Sequence, residues 1–164
     1  MKTRRIIGVL TAVLLLTACD PSYREDVVIH NGSSYTVTVI PSASSYYNEF
    51  VDSVITCENK SYSLAPDEDV SVNVGGGIGG ASRGEGVYVM NRYFGDSVVL
   101  LFDGGRKVVY HESDTSGVSP YNYESDCYSY EEQLNSDSWT FKDNPRYDKF
   151  TFTISDTHYE AASK

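Results

Sequence analysis

The chain is expected to be all-β: a two-sheet antiparallel sandwich, immunoglobulin-like or similar, with a closed β-barrel as the alternative. Three observations carry that expectation. Beyond the first eighteen residues no long stretch repeats apolar residues at helical spacing, whereas period-two alternation recurs along the chain. Tyr is abundant, with fourteen in 164 residues, and Val, Thr and Ser fill much of the rest. Turn-forming steps interrupt the apolar runs roughly every dozen residues, the rhythm of short strands. The connections are uneven in length, some Gly-rich and some Ser/Asp-rich, which favours the sandwich over an up-and-down barrel.

Taken in order, Val27 to Ile29 and Tyr35 to Ile40 flank Asn31-Gly32-Ser33-Ser34, whose Asn-Gly step tolerates the positive φ of a tight turn. Tyr35, Val37 and Val39 point one way, Thr36 and Thr38 the other. Val54 to Cys57 and Tyr62 to Leu64 are weaker strands. After the turn Pro66-Asp67-Glu68-Asp69, Val70, Val72 and Val74 alternate with Ser71 and Asn73. Val87 to Met90 reads as another strand. Val98 to Phe102 is apolar at every position, as a strand covered on both faces should be. Asp103-Gly104-Gly105 then reverses the chain into Lys107 to His111, a hairpin. Residues 112–126 read as a long loop. In the last strand Phe150, Phe152 and Ile154 alternate with Thr151, Thr153 and Ser155, and Ser155-Asp156 can cap a final helical turn through Tyr159-Glu160-Ala161-Ala162.

The N-terminus sets the address. Lys2, Arg4 and Arg5 precede an apolar run of eleven residues, Ile6 to Leu16, where a bilayer span needs about twenty. That length suits an export signal. Leu16-Thr17-Ala18-Cys19 follows and resembles the lipobox of bacterial lipoproteins. The resemblance implies acylation of Cys19 and cleavage before it. Residues 1–18 are then the signal peptide, 19–25 a lipidated tether and 26–164 one β domain. Several acyl chains, palmitate among them, anchor stably where one is marginal.

Removing residues 1–18 takes away three of the thirteen Lys and Arg and none of the twenty-three Asp and Glu, leaving a formal −13. No basic stripe remains to displace phosphate counterions, so nucleic acid is not an expected partner. A polybasic contact with anionic lipid is excluded on the same ground.

Four stretches, Val28-Ile29-His30-Asn31-Gly32-Ser33-Ser34-Tyr35, Phe94-Gly95-Asp96-Ser97-Val98, Asp103-Gly104-Gly105-Arg106-Lys107, and Phe150 to Ile154 with Tyr159-Glu160, resemble small outer-membrane lipoproteins of Bacteroides and its relatives. The resemblance implies an all-β domain lipid-anchored in the cell envelope, at the outer membrane, on its periplasmic or its surface side. It implies no chemistry, since such proteins mostly lack an assigned function. Asp20 beside Cys19 resembles an enteric inner-membrane retention signal, a rule not expected to apply in that group. Asp52-Ser53-Val54 and Asp96-Ser97-Val98 resemble the O-glycosylation acceptor of those bacteria, which makes Ser53 and Ser97 candidate modification sites.

Cys57 and Cys127 are the thiols left after lipidation. In an oxidising envelope they are a candidate disulfide worth on the order of 4 kcal/mol in the chain-entropy model; two separate buried thiols are the alternative. Gly75-Gly76-Gly77-Ile78-Gly79-Gly80 has the spacing of a dinucleotide fingerprint, but that motif needs a helix next, and the sequence through Gly86 is expected to lead into a strand. No cofactor is expected. His30, His111 and His158 lack metal-ligand spacing, and Asp67-Glu68-Asp69 and Asp103 lack that of a calcium loop, so they read as solvated turn acids and no metal is expected. No nucleophile elbow is present, and with twenty-three acids a carboxylate pair carries little information. Tyr46-Tyr47 and, above all, Tyr121, Tyr123, Tyr128 and Tyr130 sit among polar residues. Tyr offers a wide contact face at small entropic cost, which suits a protein or glycan ligand; rings packed under a loop are the alternative. The expected function is a non-catalytic binding module on a membrane anchor. A periplasmic structural or assembly accessory is the second expectation and a small hydrolase the third.

Overall fold

The computed structural model describes residues 22–48, 52–57, 59–78, 83–133 and 146–163. In chain order the elements are β1 (Ser22–Asn31), β2 (Val37–Pro41), β3 (Ser44–Asn48), β4 (Ser53–Cys57), β5 (Tyr62–Leu64), β6 (Asp69–Ile78), α1 (Arg83–Phe94), β7 (Ser97–Phe102), β8 (Lys107–His111), β9 (Tyr128–Gln133), β10 (Arg146–Ile154) and α2 (Asp156–Ala161). One sheet runs β6-β1-β10-β9, a second β5-β2-β7-β8, and β3-β4 form a separate ribbon. This is a two-sheet sandwich and not a closed barrel. Among the described residues one pairing departs from antiparallel, and it is central: β1 runs parallel to β10 with Val27 beside Phe150 and Ile29 beside Phe152.

Alternation places the core. Val27, Ile29, Phe150, Phe152 and Ile154 of the first sheet face Val37, Val39, Val98, Leu100 and Phe102 of the second, all essentially without solvent contact. At about 25 cal/mol per Å² this burial is the main stabilising term. The hairpin of β7 and β8 forms as the sequence predicts, with Gly104 and Gly105 at φ 77° and 79° supplying the left-handed turn. The strands at 54–57 and 62–64 form, and so does α2. There the Ser155 N–H donates to Nδ1 of His158 at 3.1 Å, satisfying one of the donors a helix start leaves open.

Several expectations are corrected. Val87 to Met90 is not a strand but part of α1, with Gly86, Met90, Tyr93 and Phe94 buried at helical spacing. The cause is contact: a Cβ on Gly86 would lie 2.5 Å from Cγ and 2.7 Å from Cβ of Phe150, so only Gly lets α1 sit this close to β10. The 31–34 segment is not a hairpin turn. It crosses between the sheets, and the fully buried Asn31 amide donates to the carbonyls of Tyr35 (2.8 Å) and Leu64 (2.9 Å). The alternation at Val70, Val72 and Val74 is broken by a bulge, since Val27 pairs with Asn73 but Val28 with Ser71, which leaves Val72 as the extra residue. β7 is covered on one face only, and Leu101 is 36% exposed. Finally, β1 begins within the expected tether 19–25, and Glu25 is buried. The folded domain therefore starts ahead of residue 26.

The strand–glycine–helix order of a dinucleotide fingerprint is present after all, because α1 follows the Gly-rich stretch. Yet Gly75, Gly76 and Gly77 are ladder residues, opposite Glu25, Arg24 and Tyr23 in an antiparallel pair, and the next strand belongs to the other sheet. Among the described residues no βαβ unit aims a helix N-terminus at a pyrophosphate.

Candidate functional site

The tyrosine segment is core lining. Tyr121 is 3% exposed and donates its hydroxyl to the Gly95 carbonyl at 2.8 Å. Tyr128 is buried, bonds the Pro120 carbonyl and stacks on Phe150 with ring centres 5.2 Å apart. Tyr123, 5.3 Å from Tyr128, and Tyr130 are half-buried against the same cluster. Burial pushes the phenols of Tyr121, Tyr123 and Tyr128 well above their ordinary range. The expected contact surface at Tyr121, Tyr123, Tyr128 and Tyr130 is thus corrected. A long segment crossing one end of a sandwich needs large side chains beneath it, and tyrosine fills that space while its hydroxyl meets an otherwise unpaired carbonyl. The side chains of Tyr46 and Tyr47 lie outside the described residues.

The cysteines do not form the expected bridge. Cys127 is a free, half-buried thiol entering β9, and burial pushes its pKa up. Cys57 stands opposite Ser44 at the far end of the β3-β4 ribbon, and its side chain lies outside the described residues. Cys19, the expected lipidation site, also lies outside them. Ser53 is exposed at the start of β4, after Asp52 at φ 49°, whereas Ser97 is half-buried with its backbone N–H donating to Ser42 Oγ at 3.0 Å. Of the two expected modification sites Ser53 is the open one.

A carboxyl and an imidazole with displaced acidities are also buried in the fold. The row of inward side chains along β1 and β10 ends in Glu25 and Asp148, which are register partners, 4% and 0% exposed. Burial first, then the charges of Glu85 and Asp148, raise the Glu25 carboxyl to about 7. His158 is fully buried, its ring edge-on to Phe152 at 5.6 Å; burial lowers its pKa to about 4. Acceptance of the Ser155 N–H by Nδ1 fits that neutral imidazole. Among the described residues no group of three or more His, Cys, Asp and Glu could hold a metal ion. The turn acids serve the fold instead. Glu68 accepts the Ala65 N–H at 2.8 Å, and Asp69 meets His30 Nδ1 at 2.6 Å and Lys149 Nζ at 3.4 Å.

A candidate site open to solvent lies elsewhere among the described residues, in a cleft of about 250 Å³ lined by Ser44, Ser45, Tyr88, Asn91, Arg92, Gly95, Asp96 and Glu112. Tyr88, Asn91 and Arg92 follow i, i+3, i+4 spacing, so they share the face of α1 turned away from its buried side. Gly95, at φ 65°, ends the helix with its N–H on the Asn91 carbonyl at 2.9 Å. Nothing larger fits, since a Cβ there would stand 2.7 Å from Ser42 Oγ. The Asn59 amide clamps the rim, donating to the Ser42 and Arg92 carbonyls (3.2 Å each) and to Ser44 Oγ at 3.4 Å. The Asp96 carbonyl accepts the Glu112 N–H at 3.0 Å, which fixes the far wall. Over this frame Tyr88 is 61% exposed, and among the described residues no other ring packs on it. The sequence held a signal for this site. Tyr88, Asn91 and Arg92 opposing Met90, Tyr93 and Phe94 is a helical pattern, hidden by the two valines that argued for a strand.

A second surface feature is apolar. On the outer face of β2, β7 and β8, Ile40, Val99 and Val109 form one cross-strand row. Ile40 is 36% and Val109 42% exposed, and Leu101 lies on the same face.

The chain matches no protein-family model, no curated protein and no solved structure.

Proposed function

We propose that this protein is a non-catalytic binding module, held at the bacterial outer membrane by lipid on Cys19, and that the cleft beside α1 is its ligand site. The observation that carries the reading is Tyr88, a large ring 61% exposed at the edge of a rigid polar cleft. A ring left in water forgoes the stabilisation of burial, which a bound partner restores. What weighs against a hydrolase is the placement of the acid and base candidates: Glu25 and His158 have displaced acidities, but at 4% and 0% exposure neither meets a substrate. Membrane attachment is supported by the export signal and the lipobox-like Leu16-Thr17-Ala18-Cys19.

The test is retention of isolated envelope material by the lipidated protein and its Tyr88→Ala variant. The reading expects the wild type to retain material that the variant releases. Equal retention by both proteins refutes the cleft as the site. The row of Ile40, Val99 and Val109 favours a second reading, an assembly accessory that docks a protein on its outer sheet. In that case Val109→Lys, and not Tyr88→Ala, abolishes retention.

A further inference from the structure

We infer that the cleft beside α1 takes a saccharide, holding one ring of a neutral glycan against Tyr88; the inference rests on the reading of that cleft as the ligand site. Five observations converge. An exposed aromatic face at the edge of a polar cleft matches the C–H face of a pyranose, which stacks on a π surface while its hydroxyls stay at the rim. Those hydroxyls are each donor and acceptor, and the cleft offers both kinds of partner in planar form. Among its lining residues Asn91 and Arg92 carry side-chain N–H donors, and Asp96 and Glu112 carry carboxylates that accept.

Size and charge narrow the class. About 250 Å³ lies below the roughly 300–1,000 Å³ of clefts that enclose a drug-sized molecule, so the site holds a single ring and lets the chain run out on either side. Asp96 and Glu112 outnumber Arg92, and the chain beyond residue 18 carries a formal −13. That field repels uronates, sulfates and phosphates and leaves neutral sugars unopposed. The frame is already fixed by Gly95, Asn59 and the Asp96–Glu112 backbone bond, so little ordering cost falls on binding.

The experiment is calorimetric titration of the lipidated protein, in a detergent without a sugar headgroup, with neutral hexasaccharides of glucose, mannose, galactose and N-acetylglucosamine. Polygalacturonate serves as the acidic comparison. The expected result is saturable binding of at least one neutral chain and none of polygalacturonate. Tyr88→Ala weakens that binding about tenfold or more, a typical loss for an aromatic anchor, whereas Tyr88→Trp keeps it within about threefold. Unchanged thermal unfolding of Tyr88→Ala, expected for a ring this exposed, shows that the loss is local. If no neutral chain binds, or if polygalacturonate binds as well, the saccharide assignment is overturned. If the Tyr88-dependent retention of envelope material then persists but is destroyed by protease, the cleft stands and its ligand is a protein. If that retention is absent too, the ligand-site reading falls with it.

Discussion

Replacing Glu25 by Gln should stabilise the protein at pH 8 and leave it unchanged near pH 4.5. The carboxyl titrates at about 7 in the fold against 4.5 in the open chain, chiefly because β1 carries it into the core row, and secondarily because Glu85 and Asp148 face it. At about 1.4 kcal/mol per tenfold change in acidity, discounted for screening by solvent, ionising Glu25 costs the folded state about 1–3 kcal/mol. Between pH 4.5 and 7 the folded protein keeps a proton that the unfolded chain has released, so this group makes stability fall as pH rises. His158 acts in the opposite sense. Its folded pKa of about 4 lies below the ordinary 6.5, so the unfolded chain binds the extra proton, and stability rises with pH between about 4 and 6.5. The two slopes oppose each other, and between pH 4.5 and 6.5 the wild type should show little dependence from this pair. Glu25→Gln removes one slope and exposes the other. Urea denaturation followed by far-ultraviolet circular dichroism at pH 4.5, 5.5, 6.5 and 8 measures both. Wild-type and variant curves that run parallel across that range would refute the account, because the Glu25 carboxyl would then titrate normally.

Four further outcomes follow from the packing and the sequence. Gly86→Ala should destabilise by about 1–3 kcal/mol despite the better helix former, because the nearest atoms include the Phe150 Cβ, which no rotation of that side chain can move away; a gain in thermal midpoint would contradict the close approach. Tyr128→Ala should cost about 3–5 kcal/mol, as loss of a buried ring does, and an unchanged denaturation midpoint would return that residue to the surface. Cys19→Ala should abolish incorporation of labelled palmitate and leave an unlipidated precursor, whereas persistent labelling would place the lipid elsewhere. Of the two Asp-Ser-Val triplets, only Ser53 is expected to carry a glycan, so Ser53→Ala should reduce the intact mass of the native protein to that of the lipidated chain; an unaltered, heavier mass would assign the modification to another residue.

What was legible in the sequence was local. Gly104-Gly105 specifies its own turn, Phe150-Thr151-Phe152-Thr153-Ile154 its own alternation, and Ser155 its own cap, and all three form as read. The failures share a cause, which is contact made far along the chain. Gly84, Gly86, Val87 and Val89 argue against a helix by propensity, yet Phe150 and the core hold α1 in place. Asn31-Gly32 has the composition of a hairpin turn, but the carbonyl of Leu64 claims the Asn31 amide. Composition cannot separate a tyrosine beneath a crossing segment from one on its surface, since both have polar neighbours in sequence. The cleft was the least legible part, because it is assembled from segments near residues 44, 88–96 and 112 that lie far apart in the chain.

The parallel pairing of β1 with β10 constrains how such a chain acquires its structure. β1 begins at Ser22, yet one of its two neighbours is the strand that ends at Ile154. A chain that emerges amino end first presents β1 long before that neighbour exists, and only β6 can cover its other edge in the interval. The ladder joining Val27 to Phe150 closes a very long loop, a step that topology makes slow and that leaves an apolar strand edge open meanwhile. The first sheet should therefore close only after Arg146–Ile154 has emerged. A factor that shields a bare strand edge would act in that window, and a truncation before Arg146 would leave the central seam of the first sheet permanently unclosed.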